Sequence, residues 1–286
     1  MKNYFITQGK MLFTFTLFVV MVTACQKMDR PALGNYAQDA NAPGGPLKFY
    51  AAFDGSSTNP LMNGVDSIRA NFPSDNPFAS ITGISGKGIQ GDGVKIVKYA
   101  GANDFPSTAS SFTVAFWEKR NGAPQGNASF FYHLASNNGY WTGGSAMFGL
   151  FDWGTVNDSA ILKLDCVDAN GGDNWFQWVN NGPGNDQRVY KIMDNNWHHI
   201  AFVYDASTST MTLYVDGKAN PYTQKWGTHG GVNLDATKVN GLDIGGCRNI
   251  PTMGWGQSWD GGLDQFRLYS KALASADVAS LYTNKQ

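Results

Sequence analysis

The chain has 286 residues and a formal net charge of −1, from 21 Lys and Arg against 22 Asp and Glu. That balance excludes a basic nucleic-acid-binding surface or a polybasic membrane patch. Only 15% of residues are charged while 14% are aromatic, with 34 glycines, a composition suited to an extracellular β-protein with elaborate loops.

Lys2 and Lys10 precede an apolar run from Met11 to Val22, too short to span a bilayer and ending in Val22-Thr23-Ala24-Cys25. Small residues before a cysteine are what a lipoprotein signal peptidase needs, so residues 1–24 read as a signal peptide and Cys25 as the lipidated mature N-terminus, the alternative being an ordinary secretory signal with a chance cysteine. Residues 25–46, with Pro31, Gly34, Pro43, Gly44, Gly45 and Pro46, read as a flexible tether. The protein is thereby expected to be anchored to the cell envelope, in the outer membrane and facing outward, without spanning it.

Residues 47–286 are long enough for one β-domain. Leu47 to Phe53 opens it, and Gly86 to Ile96 is a glycine-rich block before a strand. Ser111 to Trp117, Phe130 to Ala135, Ala146 to Phe151, Ala160 to Val167 and Phe176 to Val179 continue as strands with turn signals between them. Ile200, Phe202 and Tyr204 alternate with smaller residues, as do Met211, Leu213 and Val215. The period of two predicts a hairpin, and Asp216-Gly217 supplies a pair that tolerates positive φ for an immediate second reversal. Leu242 to Gly245 and Trp259 to Tyr269 close the strand pattern, and only residues 277–282 read as a helix.

Trp197-His198-His199, the Leu213-Tyr214-Val215-Asp216-Gly217 hairpin, the strand at Ser111 to Trp117 and the Trp259 to Tyr269 block occur in order and with ordinary spacing. In these blocks the chain resembles the laminin-G-like, concanavalin A-like lectin/glucanase superfamily over residues 47–286. The resemblance implies an all-β, two-sheet jelly-roll sandwich with a short C-terminal helix, whose exposed concave face or rim loops take the ligand. It also implies a structural Ca²⁺ ion held by Asp54, a carbonyl near Gly88, and Asp264.

Fold alone does not assign an activity. Retaining glycosidases use two carboxyl groups about 5–5.5 Å apart, and the glutamate-rich strand motif of the superfamily's glucanases is missing, Glu118 being the single glutamate of the chain. Asp165 and Asp168 are the nearest substitute, but a spacing of three sends them to opposite faces of a regular strand, so they read as solvated strand-end residues. Neighbouring His198 and His199 also face opposite ways and read as packing residues, and the four histidines do not fall at zinc-ligand spacing. Cys166 and Cys247 are either a disulfide or two buried thiols.

Sugar rings stack their C–H faces on flat aromatics while hydroxyls need amides and charged groups. Three loop-like segments carry that mixture: Asn137 to Trp141, Asp173 to Trp178, and Arg248 with Trp255 to Trp259. Tyr140, Trp141, Trp175, Trp178, Arg248 and Trp255 are the candidate ligand-binding residues, with no catalytic residue assigned. The expected function is a non-catalytic surface lipoprotein that captures polysaccharide or glycan. The alternatives are a divergent glycoside hydrolase or lyase using aspartates such as Asp165 and Asp168, and a protein-interaction or adhesion module.

Overall fold

The computed structural model describes residues 45–54, 61, 63–65, 78–137, 146–153, 158–170 and 172–285. In chain order the elements are β1 (Leu47–Ala51), β2 (Ala79–Thr82), β3 (Lys87–Gln90), β4 (Val97–Tyr99), α1 (Phe105–Thr108), β5 (Phe112–Lys119), β6 (Ala128–Ser136), β7 (Ala146–Asp152), β8 (Ile161–Val167) and β9 (Asp173–Trp178). They continue with β10 (His198–Asp205), β11 (Thr210–Val215), β12 (Lys218–Ala219), β13 (Gln224–Lys225), β14 (Val239–Ile244), α2 (Ile250–Met253), β15 (Gly256–Ser258), β16 (Gly262–Tyr269) and α3 (Ser275–Asn284). Among the described residues two single-turn helices, α1 and α2, precede the terminal one; proline in the first turn sets each of them off.

The strands form two sheets. The first runs β12-β11-β10-β5-β16-β3-β2, with β1 also on β16 and β13 on β11; the second runs β4-β14-β6-β7-β8-β9, with β15 on β6. Pairing is antiparallel throughout the described residues except between β15 and β6. The chain is thus the expected two-layer β-sandwich.

Alternation builds the core. Phe112, Val114 and Phe116 of β5 and Ile200, Phe202 and Tyr204 of β10 point inward from the first sheet, in register as Phe116 opposite Ile200 and Val114 opposite Phe202. From the second sheet, Phe131 meets Phe116 at 4.4 Å and stacks on Phe202 at 5.9 Å, and Phe176 meets Tyr204 at 5.7 Å. Each such ring removed from water contributes about 1.5–3 kcal/mol.

The Asp216-Gly217 turn forms as the sequence predicts, with φ of 50° and 74°. The Asp216 carboxylate accepts hydrogen bonds from the His199 amide and from His198 Nδ1, both at 2.9 Å, and His198 Nε2 reaches Asp194 at 3.1 Å. The Trp-His-His motif therefore pins a turn. His199 points the other way, buried between Trp117 and Tyr282 on the outer face of the first sheet. There α3 lies across Ala115 and Ala201, cross-strand partners whose small side chains let Val278 approach the sheet.

Cys166 and Cys247 are both free thiols. Cys166 lies in the inter-sheet core, Cys247 in a smaller cluster with Phe130 and Phe148 on the outer side of the second sheet. A sheet separates them, which decides the open question in favour of two buried thiols.

Candidate functional site

The outer face of the second sheet presents the other half of each strand. Phe148, Leu150 and Asp152 of β7 alternate with core-facing Met147 and Phe151; Lys163 and Asp165 of β8 alternate with Leu162 and Leu164; Trp175 and Gln177 of β9 alternate with Phe176 and Trp178. Register places Leu150, Lys163 and Gln177 in one row across the strands, and Phe148, Asp165 and Trp175 in the next.

A groove of about 390 Å³ opens on this face, lined by Leu150, Asp152, Trp153, Lys163, Trp175, Gln177 and Trp255. Trp175 and Trp255 are each half-buried and backed by an apolar cluster, Trp175 against the edge of Phe148 at 5.3 Å and Trp255 against Phe130 at 5.4 Å. Trp153 is 45% exposed. Between the rings the Lys163 ammonium sits 5.8 Å from the centre of the Trp175 indole and 2.5 Å from an Asp152 carboxylate oxygen. Flat apolar surfaces around a paired cation and anion and a side-chain amide can take a ligand with an apolar face and hydroxyl edges.

The structure brings Trp175 and Trp255 together as lining residues of this one groove, from segments 80 positions apart in sequence. Trp153 completes it and was missed from the sequence, although Phe151-Asp152-Trp153 with Asn157 and Asp158 carries the same mixture of aromatic and polar residues. Tyr140 and Trp141 lie outside the described residues.

Two expectations need correction. Trp178 is fully buried in the inter-sheet core, its indole N–H donating to the Tyr222 carbonyl at 2.7 Å. Three residues from Trp175 on one strand, it necessarily takes the opposite face, and the Asp173 to Trp178 segment is a strand and not a loop. Arg248 is held by Asp243, with Nε at 3.1 Å and Nη2 at 2.8 Å from the carboxylate. It braces β14, two strands from β7, and does not line the groove.

The aspartates also differ from expectation, because neither Asp165 nor Asp168 is solvated; both are fully buried. Asp168 pins a loop, accepting hydrogen bonds from the amides of Asn170, Gly172 and Asn233 and contacting His229 Nε2 at 2.8 Å. Asp165 lies between Phe148 and Trp175 on the groove face, its carboxyl buried close to that of Asp173. Burial, and then the like charge of Asp173 diagonally across β9, push its pKa to about 9. It is a protonated acid at neutral pH.

Farther along the same row, His133 Nδ1 meets Asp243 at 3.1 Å, while its buried Nε2 has no partner. Burial pushes Asp243 upward, but hydrogen bonds from His133 and Arg248 outweigh it and hold the carboxyl below its ordinary range.

Asp54, Gly88 and Asp264 gather on the first sheet, around the turn between β2 and β3. Asp54 Oδ1 accepts from the Lys87 amide at 2.6 Å and Asp264 Oδ2 from the Ile84 amide at 2.8 Å. A Cβ on Gly83 would stand 2.3 Å from Asp264 Oδ2 and one on Gly88 2.9 Å from the Leu263 carbonyl, so the backbone comes this close only as glycine. Asp264 Oδ1 is buried without a partner. Burial, reinforced by Asp54, raises the Asp264 pKa to about 8.

Glu118 lies fully buried on β5, without a hydrogen-bond partner for either oxygen, and burial lifts its pKa well above the ordinary range.

A family model described as the concanavalin A-like lectin/glucanases superfamily matches residues 92–279. No curated protein sequence matches the chain. Among solved structures, domain 4 of AbnA, a GH43 extracellular arabinanase from Geobacillus stearothermophilus in complex with arabinotriose, is similar with a TM-score of 0.56 at 15% identity, covering 83% of this chain and 98% of that one. The binding domain of Paraclostridial Mosquitocidal Protein 1 has a TM-score of 0.54 at 14% identity over 84% of this chain and 52% of that one. The binding domain of botulinum neurotoxin serotype G has a TM-score of 0.55 at 11% identity over 84% of this chain and 51% of that one. This chain thus spans about half of each toxin domain, and at these identities the likeness is one of fold.

Proposed function

We propose that this chain, which belongs to the concanavalin A-like lectin/glucanases superfamily, is a non-catalytic carbohydrate-binding module that captures polysaccharide at the cell envelope. The observation that carries the reading is the groove in which Trp153, Trp175 and Trp255 surround the Lys163–Asp152 pair and Gln177. Stacking on the indoles supplies apolar contact, and the polar trio supplies partners for ring hydroxyls. The arabinotriose complex of the AbnA domain supports a saccharide as the class of ligand on this fold. An open groove with few anchors corresponds to micromolar to millimolar affinity once ordering costs are counted.

The anchoring part of the reading rests on sequence. The apolar run ending at Cys25 and the proline- and glycine-rich stretch after it support lipidation and an outer-membrane tether. Mass spectrometry of the protein from a bacterial membrane fraction would show a diacylglyceryl group on Cys25, lost in Cys25→Ser.

A structural Ca²⁺ ion fits the turn at Asp54 and Asp264. The orphaned Asp264 Oδ1 near the Asp54 carboxyl supports this reading, since Ca²⁺ prefers hard oxygens. Among the described residues no group of three or more His, Cys, Asp or Glu could hold a metal, so backbone carbonyls such as one near Gly88 would complete the set. Its contribution would be to fasten β3 to β16. Added Ca²⁺ should raise the melting temperature of the wild type and leave Asp264→Asn unmoved; equal curves would end the idea.

One observation favours a second reading, a divergent glycoside hydrolase. Asp165 holds a proton at neutral pH and has the exposed Asp173 as its diagonal neighbour, the acid and carboxylate such a reaction needs. Its complete burial argues against contact with a glycosidic oxygen. Affinity electrophoresis against a polysaccharide panel, run beside a reducing-sugar assay, separates the two. Retardation abolished by Trp175→Ala without sugar release supports binding; release abolished by Asp165→Asn establishes the enzyme; neither effect removes both.

A further inference from the structure

The outer face of the second sheet continues past the groove. Beyond the start of β8, Ala160 and Val189 exchange two backbone hydrogen bonds of 2.7 and 2.9 Å, and both side chains belong to the inter-sheet core. With Val189 inward, alternation sends Arg188 and Tyr190 to the outer face, the face that also carries Lys163. Ile161, next to Ala160, is the cross-strand partner of the groove residue Asp152.

The segment is organised. Arg188 Nε donates to Asp186 Oδ1 at 2.9 Å and Arg188 Nη2 to Oδ2 at 2.5 Å, while the Tyr190 hydroxyl donates to Asp186 Oδ2 at 2.5 Å. Hydrogen bonds from Arg188 and then Tyr190 hold the Asp186 carboxyl well below its ordinary range. The Arg188 guanidinium carbon lies 5.9 Å from the centre of the Tyr190 ring. Tyr190 is 54% exposed, more than any other aromatic side chain among the described residues, and belongs to none of the apolar clusters. A flat ring more than half exposed, held by its own charged fork and outside the apolar clusters, is placed to stack on a ligand.

We propose that Tyr190, positioned by Arg188 and Asp186, is a second stacking subsite, and that the ligand is an internal stretch of an extended, neutral polysaccharide lying along β8. This rests on the reading of the tryptophan groove as a glycan site. Lys163 and Ala160 are three strand residues apart, roughly 10 Å, a distance that a short oligosaccharide covers and a single sugar ring does not. Neutrality follows from the charges. Lys163 is paired with Asp152 and Arg188 with Asp186, so neither of these two cations is left over for a uronate or sulfate.

The test takes whichever polysaccharide retards the protein most in affinity electrophoresis, from a panel of neutral glucans, xylans, arabinans and mannans and acidic pectate, alginate and sulfated galactans. Oligosaccharides from two to six units are then prepared from it for calorimetry. Wild-type affinity should rise with length by roughly tenfold, the order of one aromatic stacking contact. Tyr190→Ala should remove that gain and leave the shortest binding oligosaccharide unaffected, while Tyr190→Phe, which keeps the ring, retains most of it. A Tyr190→Ala variant with unchanged length dependence, affinity that levels off at two or three units, or retardation by acidic polymers alone would each overturn the proposal while leaving the groove intact. No retardation by any polymer would overturn the groove reading, and this proposal with it.

Discussion

The outer faces of the two sheets start from the same alternation and end in opposite states. On the first sheet Ala115 and Ala201 leave room for α3, and Trp117 stacks on Tyr282 of that helix at 5.6 Å. The face becomes a second core. On the second sheet the corresponding positions are Phe148 and Leu150, buried in a cluster that Met253 of α2 joins, and Trp175 and, from outside the strands, Trp255, which stay only partly covered. The first layer is thus closed along its outer face by the terminal helix, while the second keeps two partly covered indoles at its surface.

The largest test of that contrast is Trp117→Ala. It should cost about 3–5 kcal/mol, as for other large core rings, measured by urea unfolding, and should not change affinity for a bound glycan. A loss of binding at full stability would break the division between the faces.

Each face also carries a buried titratable group, and the two act with opposite sign. Burial, and next Arg267, drive the pKa of His199 down to about 3 from an ordinary 6.5. Its neighbours under α3 are Trp117 and Tyr282, with Asp216 the opposing charge. The unfolded chain takes up the proton first, so stability is whole above about pH 6.5 and falls as pH drops towards 3, by an amount on the order of a few kcal/mol. His199→Leu should flatten that acid limb.

Asp165 works the other way. The unfolded chain releases its proton from about pH 3.8 while the folded one holds it to about 9, so stability falls as pH rises between these values. Asp165→Asn should raise the urea midpoint at pH 8 and leave it nearly unchanged at pH 4. The smallest expected effect belongs to the groove, where Trp175→Ala should weaken glycan binding about tenfold, on the order of 1.4 kcal/mol, with little change in melting temperature.

The hairpin from His198 to Gly217 was legible because alternation and an Asp-Gly turn are both local signals, and local signals survive into the fold. The edge strands β12, β13 and β15 were not, since two or three residues carry no period and owe their conformation to a neighbouring strand. Trp178 shows a signal present but unused: the spacing argument that separates Asp165 from Asp168 also separates Trp178 from Trp175. The burial of Asp165 could not be read at all, because a sequence shows which face a strand residue takes and not what lies over it. Trp153 falls between these cases, exposed beside a groove whose other walls come from β8, β9 and the segment before β15.

Strand β16 holds both extremities of the domain. Ser270, just after it, donates its amide to the Pro46 carbonyl at 2.8 Å, β1 pairs along it, and Gln265 donates to the Lys285 carbonyl at 2.8 Å. Neighbouring ends of this kind make a unit that can be circularly permuted or spliced into a host polypeptide with little distortion. Since β16 belongs to the layer opposite the tryptophans, a fusion partner joined at either extremity would leave the groove unobstructed.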